Sequence, residues 1–358
     1  MLGIARVRSL AARAMLMMPR PRGRARVRYG ELPFAKGGPL TKLHLLRQYF
    51  PDHRLRFNII YLLSAGRADF DFVAIARARG AKVVVNQNGV YYPAVRANWR
   101  EANVPMQRML DMADFVLYQS EYSRTAVRRF LAPPPCASQV LHNAVDTSLF
   151  QPAPGRRPHD PFVLLSTDLV VDSVRMRMLG HLLESLAALK SVRTDWTWRF
   201  AGSLHLEGEP DYRAEADALI EKHGLREFVQ LADFYEQPSS ASIYAGADIY
   251  LHDKYNDACP NAVLEAMASG LPVVYSATGG VAELVSGDAG VGVAGPSNWD
   301  RIVVCDPAQY ARAISQVMDH QPEYSQNARR RAVERFDVAT WVARHREVFN
   351  KLLGLAEE

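Results

Sequence analysis

The chain has 358 residues, 48% hydrophobic and 23% charged, which is too long for one core and suits two soluble domains of ordinary size. No apolar run approaches the ~18 residues needed to cross a bilayer, and Cys136, Cys259 and Cys305 show neither a disulfide framework nor metal-ligand spacing, which fits a reducing cytoplasm. The formal charge of +5 is local: residues 1–28 hold eight arginines and no acid, leaving the remainder at −3.

That basic extension, "MLGIARVRSLAARAMLMMPRPRGRARVR", supports two readings. Arginines interspersed with Leu, Met, Val and Ala suit peripheral contact with anionic head groups. A disordered extension or a mis-assigned start is the other reading, favoured by Pro19 and Pro21, which cut any helix short. The apolar stretch is too short and too interrupted by arginine for a secretory signal.

After the extension, short apolar runs alternate with helical patterns. "RFNIIYLLS" (56–64) predicts a buried strand and "DFVAIARARG" (71–80) a helix stopped by glycine. Asp69 and Asp71 stand at that helix's head, where acids favour the helix dipole. "AKVVVNQNG" (81–89) predicts a strand, "VPMQRMLDMA" (104–113) a helix, "DFVLYQS" (114–120) a strand and "EYSRTAVRRFL" (121–131) a helix. "SQVLHNAVD" closes the first half, and the Pro-rich "FQPAPGRRPHDP" (150–161) reads as a linker. The pattern then restarts with "FVLLST", a long helix around 177–190, "WTWRFAGS", "AEADALIEKHG", "FVQLADF" and "ADIYLHD". Trp196 and Trp198 alternate along one of these strands and read as packing residues; His142 and His252, at strand ends, read as histidines satisfied by backbone. Alternation of this kind implies parallel strands with crossover helices, a doubly wound sheet in each half. Ligands in such sheets bind beyond the carboxyl ends of the strands.

The densest signal is "NDACPNAVLEAMASGLPVVYSATGGVAEL" (256–284). Pro260 fits a first helical turn, Asn261 a cap or first-turn position, and Gly270 with Pro272 a stop, so a helix over 261–269 is predicted. Its N-terminus would open onto the strand-end cleft, where unpaired N–H groups attract phosphate oxygens. Glu265 would accept from a vicinal diol such as a ribose. Asp257, in the preceding loop, would reach hydroxyls of an attached sugar. The Thr278-Gly279-Gly280 turn offers backbone to an oxyanion.

These residues resemble the donor site of family 4 (group 1) retaining glycosyltransferases, whose mark is E-x7-E followed by L-E-A-M-A-x-G-x-P-V-V and G-G-x-x-E; here Asp257 stands for the first Glu. "NAVDTSLFQP" (143–152), "KGGPLTKL" (36–43) and "ADFVLYQSEYS" (113–123) are similar to further family segments. The resemblance implies the α/β GT-B fold, with two Rossmann-like doubly wound domains, an interdomain cleft and a C-terminal crossover helix. Its expected layout is a basic N-terminal extension over 1–28, an acceptor-side domain over 29–152, a donor-side domain over 153–335 and the returning helix over 336–358.

By the same resemblance Glu265 would hold the ribose and Asp257 the donor sugar, with Cys259, Pro260, Asn261, Gly279 and Gly280 around the donor and Gly37 and Gly38 in the glycine loop. The family's Gly-Arg and Lys-Gly cations have no direct match in "STDLVVDSVRMRMLGHLLESL" (166–186); Arg177 falls at the lysine position and Arg175 substitutes for the arginine. Asn86 and Asn88 stand where many members carry a histidine near the transferred sugar. Base contacts are expected from backbone around "ADFYEQ" (232–237).

The implied function is that of a retaining hexosyltransferase-type enzyme. It would move a sugar from a nucleotide-diphosphate donor to a saccharide or lipid-linked acceptor, in polysaccharide biosynthesis. No metal or cofactor is expected beyond the nucleotide sugar. No nucleic-acid partner is expected, and the expected location is the cytoplasm, with peripheral contact at the inner membrane face through residues 1–28. A catalytically degenerate nucleotide-sugar-binding protein and a GT-B epimerase or phosphorylase are the alternatives.

Overall fold

Apolar runs buried on both faces and joined by amphipathic helices give parallel sheets, and two such sheets are present. The computed structural model describes residues 23–31, 37–153, 158–170, 172–205, 210–232, 240–296 and 298–356. Lys36, the base-side stretch 233–237 and residues 1–22 of the extension lie outside the described residues.

Unit 1 takes the chain up to Tyr92, Arg96–Asn143 and the residues from Ala339 on. Its sheet comprises β1 (Val27–Tyr29), β2 (Ile59–Leu63), β3 (Lys82–Gln87), β4 (Phe115–Tyr118) and β5 (Ala137–Val140), paired in that order and all parallel. Val27, 1% exposed, pairs with Ile59, so the sheet begins inside the expected 1–28 extension. The helices are α1 (Gly38–Tyr49), α2 (Phe70–Ala78), α3 (Trp99–Asp111) and α4 (Glu121–Phe130). Asp69 caps α2 by accepting from Phe72 N. Helix α3 starts five residues earlier than the sequence pattern predicts. Asn103 anchors its early turns by accepting from Tyr91 N and donating to Tyr91 O, a tertiary contact invisible in periodicity.

Unit 2 spans Ala144–Val338, with Pro93–Val95. It contains β6 (Phe162–Leu169), α5 (Ser173–Lys190), β7 (Trp196–Ser203), α6 (Arg213–Lys222), β8 (Val229–Ala232), α7 (Ser240–Ala245) and β9 (Ile249–His252). Then come α8 (Asn261–Ala268), β10 (Val273–Ser276), α9 (Val281–Val285), β11 (Gly290–Val293), α10 (Pro307–Asp319) and α11 (Gln321–Phe336). The strand order is β11-β10-β9-β6-β7-β8, all parallel. Trp196 and Trp198, 1% and 0% exposed, belong to the core beneath α5 and α10. The sequence reading stopped at α9 and so missed β11, α10 and α11; the glycine-rich strand "GVGV" carries no β-branched run to announce it.

The Pro-rich stretch does not mark where packing changes units. Val145 exchanges backbone hydrogen bonds with Phe336 and Val338. Arg329 donates to the carbonyls of Thr147, Phe150 and Ala268. The "NAVDTSLF" segment is thereby tied into unit 2. The last helix, α12 (Val338–Leu353), packs in unit 1: Tyr61 OH lies 3.0 Å from His345 Nε2, and Phe349 meets Phe50 edge-on.

Candidate functional site

Strand order in unit 2 locates the crevice. From β6 the chain winds outward through β7 to β8, and from β9 it winds the other way through β10 to β11. The connections part above the carboxyl ends of β6 and β9, a topological switch point where doubly wound sheets take ligands. Asp168, near the end of β6, and Lys254, just past β9, meet across that point at 2.7 Å. Neither was singled out by the sequence reading, because 86 positions separate residues that only the crossover brings together.

The segment after β9 is pinned on both sides of Lys254. Asp253 turns inward, its Oδ2 2.5 Å from His181 Nδ1 of α5, while His181 Nε2 donates to Cys305 O at 2.7 Å. Burial opposes a charge on His181, but the hydrogen bonds to Asp253 and Cys305 outweigh it and raise its pKa to about 10. Tyr255 OH donates to the carbonyls of Pro296 and Asn298, and Asn256, at φ 55°, donates its N–H to Thr278 Oγ1.

Asp257 follows, one quarter exposed, with His252 Nε2 3.5 Å from its Oδ2. Burial works against its charge, but His252, Lys254 and the Cys259 N–H together lower its pKa. It is therefore an ionised carboxylate, a quarter exposed, in the loop that follows β9. His252 itself is buried, and its Nε2 has no hydrogen-bond partner among the described residues. The Nε2 side of the ring leans on Asp257, a contact that the expectation of a backbone-satisfied histidine did not include.

Helix α8 opens beside this loop. Pro260 is its cap, at φ −71° and ψ 127° with no side-chain cap bond, and Asn261 is the first helical residue; the predicted placement of Pro260 inside the first turn shifts by one. Cys259 is 5% exposed and packs in the core with Val263 and Met267, so its thiol is removed from the donor-facing set and only its backbone remains there. Glu265 sits one turn in, and its Oε2 accepts from Tyr244 OH at 2.9 Å. Burial raises its pKa to about 7, with the Tyr244 bond acting the other way. Tyr244 OH in turn lies 3.3 Å from Thr167 Oγ1, which meets Tyr250 OH at 2.8 Å. One carboxylate oxygen is thus already engaged, which leaves Oε1 as the freer acceptor for a ligand hydroxyl.

The glycine turn has a structural duty the sequence reading did not foresee. Gly279 has φ +86°, and a Cβ there would lie 2.5 Å from Asp257 O. Gly280 N–H donates to Asp257 O at 2.8 Å. The turn braces the Asp257 loop by backbone contact, so the Gly280 amide is spent on protein and is not offered to an oxyanion.

Of the two arginines on α5, Arg175 folds back so that Nη1 donates to Leu169 O at the end of β6. Arg177 is exposed. The α5 N-terminus is capped by Asp172, whose Oδ1 accepts from Arg175 N. A pocket of about 230 Å³ opens at the carboxyl ends of β7 and β8, lined by Gly202, Ser203, Leu231 and Ala232 among others.

In unit 1, Gly37 caps α1 at φ 111° and Gly38 begins it. Asn86 and Asn88 lie together: Lys42 Nζ donates to Asn86 Oδ1 at 2.8 Å and to Asn88 Oδ1 at 3.4 Å, and Gln119 Nε2 also bonds Asn88. Lys42, 4% exposed, was not anticipated, since a lysine on a helix reads as solvated until a strand end is placed against it.

Residues 173–335 match the family model described as glycosyl transferases group 1. The chain is 26% identical over 243 residues to the MMP alpha-(1->4)-mannosyltransferase of Mycolicibacterium hassiacum, covering 67% of this chain and 54% of that one. It is 26% identical over 266 residues to the D-inositol 3-phosphate glycosyltransferase 1 of Catenulispora acidiphila, covering 68% and 60%. The chain thus spans little more than half the length of these relatives. Among solved structures it resembles Anabaena Alr3699/HepE in complex with UDP, with a TM-score of 0.70 at 17% identity over 91% of this chain and 100% of that one. The sucrose-phosphate synthase of Thermosynechococcus elongatus is also similar, with a TM-score of 0.66 at 16% identity over 84% and 75%. The two-sheet α/β architecture is the GT-B fold of these neighbours.

Proposed function

From the match of residues 173–335 to the group 1 glycosyl transferases, we propose that the chain moves a sugar from a nucleoside-diphosphate donor to a hydroxyl of a saccharide or lipid-linked acceptor, with retention at the anomeric carbon and without a metal. The observation that carries this reading is the placement of two carboxylates, Asp257 and Glu265, beside the switch point at the ends of β6 and β9. The UDP held by the solved neighbour is in keeping with a nucleotide donor.

In this reading Glu265 accepts a hydrogen bond from a ribose hydroxyl, Asp257 orients the donor sugar through its hydroxyls, and the pocket at the ends of β7 and β8 takes the base. The amides at the start of α8 and the guanidinium of Arg175 face the diphosphate. Arg177 reaches it from the exposed side of α5. The bond between the anomeric carbon and the β-phosphate oxygen breaks as the acceptor oxygen bonds to the same face of that carbon. The acceptor's proton passes to the departing phosphate oxygen, leaving a nucleoside diphosphate. Fixed donors aimed at that growing negative charge lower the barrier. Asn86 and Asn88, with Lys42, serve the acceptor, and the basic extension ahead of β1 provides contact with an anionic membrane surface.

Calorimetry with UDP, GDP and ADP on the wild type and on Glu265→Ala tests the reading. One nucleotide is expected to bind, with a loss of about 2 kcal/mol in the variant, as for an unpaired charge-assisted contact. Equal binding by both proteins, or none by either, would sink it. A second reading, a nucleotide-sugar-binding protein without turnover, draws on Asp172, which occupies the α5 N-terminus. Donor binding with no release of nucleoside diphosphate in the presence of acceptors would favour it.

A further inference from the structure

We propose that Lys254 is the cation that receives the donor's diphosphate, and that Asp168 is the counter-ion that holds it until the ligand arrives; this rests on the donor-site reading above. The two arginines assigned to the diphosphate above are less well placed to receive it first: Arg177 lies exposed on α5, and Arg175 has to leave its present bonds. Arg175 is drawn onto Leu169 O with its Nε 3.8 Å from Asp172, and the Gly280 amide is taken by Asp257 O.

Lys254 differs from its neighbours in the loop. Asp253, Tyr255 and Asn256 are all turned into the protein and bonded there, to His181, to the Pro296 and Asn298 carbonyls, and to Thr278. The Lys254 side chain is left 29% exposed at the switch point, and its charge helps to lower the pKa of Asp257. Its backbone is therefore fixed while its four-carbon stem is free to swing. Its present partner is exchangeable: both side chains keep some contact with water, 29% and 18% exposed, so the pair is not sealed in the core. A diphosphate brings more charge than one carboxylate and accepts several charge-assisted bonds. Exchange of Asp168 for phosphate oxygen is thus downhill, and it places a positive charge where the leaving group gathers negative charge. Asp168, kept near the end of β6 by the Leu169 N–H on its Oδ1, stays behind as a brake on anion binding.

The test compares UDP with uridine by calorimetry, because only the former carries the diphosphate; GDP with guanosine, or ADP with adenosine, replaces them if that base is the one bound. Lys254→Met is expected to weaken the nucleotide by about tenfold or more and to leave the nucleoside within about twofold. Lys254→Arg is expected to recover most of the loss, and Asp168→Asn to tighten the nucleotide by releasing Lys254. Thermal unfolding of each variant checks that the fold is intact. Equal weakening of nucleotide and nucleoside by Lys254→Met would make Lys254 a structural brace and overturn the proposal. So would weakening by Asp168→Asn as large as that by Lys254→Met, or unchanged nucleotide affinity in Lys254→Met while Glu265→Ala loses it. If the wild type binds none of the three nucleotides, the donor-site reading falls and takes this one with it.

Discussion

Tyr244 donates its hydroxyl to Glu265 Oε2 at 2.9 Å, joining the short helix before β9 to the first turns of the helix after it. A carboxyl shielded from water favours its neutral form, while a donor aimed at it favours the ion. Shielding wins here, and Glu265 titrates at about 7, inside the range where a ligand-binding carboxylate is switched by pH.

Nucleotide affinity should follow that titration. The ion accepts a ribose hydroxyl more strongly than the acid does, so UDP affinity is expected to rise from pH 6 to pH 8 and then level off. Glu265→Gln should remove that part of the rise that comes from the protein. Tyr244→Phe removes the contact that, among the described residues, favours the ion, and should move the rise to higher pH. Parallel profiles for wild type and Glu265→Gln, measured calorimetrically, would rule the carboxylate out of the ligand contact.

The same carboxyl works against the fold. Between pH 4.5 and about 7 the folded chain keeps a proton on Glu265 that the unfolded chain has released, so its contribution to stability falls as pH rises through this window. Glu265→Gln is expected to raise the melting temperature at pH 8 and to change it little at pH 4. A lower melting temperature for the variant at pH 8 would contradict this.

Gly279→Ala should disturb both the fold and the site. Its φ of +86° disfavours any side chain, and the added carbon would lie 2.5 Å from Asp257 O. Strain of this kind is worth on the order of 1–3 kcal/mol, before any displacement of the Asp257 loop. Gly287→Ala, where an added Cβ would meet nothing within 4 Å among the described residues, is the matched control and should be near neutral. Thermal unfolding together with nucleotide binding separates the two; similar melting temperatures for both variants would argue against the brace.

His345 should make unit 1 acid-sensitive. Its Nδ1 lies 2.9 Å from Trp341 O and its Nε2 3.0 Å from Tyr61 OH, an arrangement that suits the neutral ring, with Nδ1–H donating and Nε2 accepting. Burial, aided by the Lys42 charge, lowers its pKa to about 4. Below about 6.5 the unfolded chain binds a proton that the folded chain refuses, so stability is expected to fall from pH 6.5 towards 4. His345→Phe loses the Tyr61 bond but should flatten that part of the slope. An unchanged slope would show that the loss arises elsewhere.

Most of the site's first outline was legible because its punctuation is local. Pro260, Gly270, Pro272 and the Gly-Gly pair delimit elements whatever surrounds them, and the spacing of Asp257 and Glu265 puts one on a loop and one on a helix face. The extended runs around Val84, Val116 and Leu251 likewise announce themselves by residue type. Less was legible where composition is neutral or a contact starts the element. The strand at Gly290–Val293 and the early start of α3 at Trp99 are examples.

By itself the sequence determined the α/β class, the alternation of strand and helix, and the two carboxylates flanking the start of α8, since each depends on neighbours within one or two turns of chain. Only the tertiary structure decided how those groups act. Reversal of the winding direction at β6 and β9 sets Lys254 on Asp168, packing sets Tyr244 on Glu265 and His252 against Asp257, and the close approach of Gly279 turns an apparent anion cradle into a brace. These are contacts between residues remote in sequence, where strand order and burial, rather than local propensity, determine which charges are neutralised and which remain for a ligand.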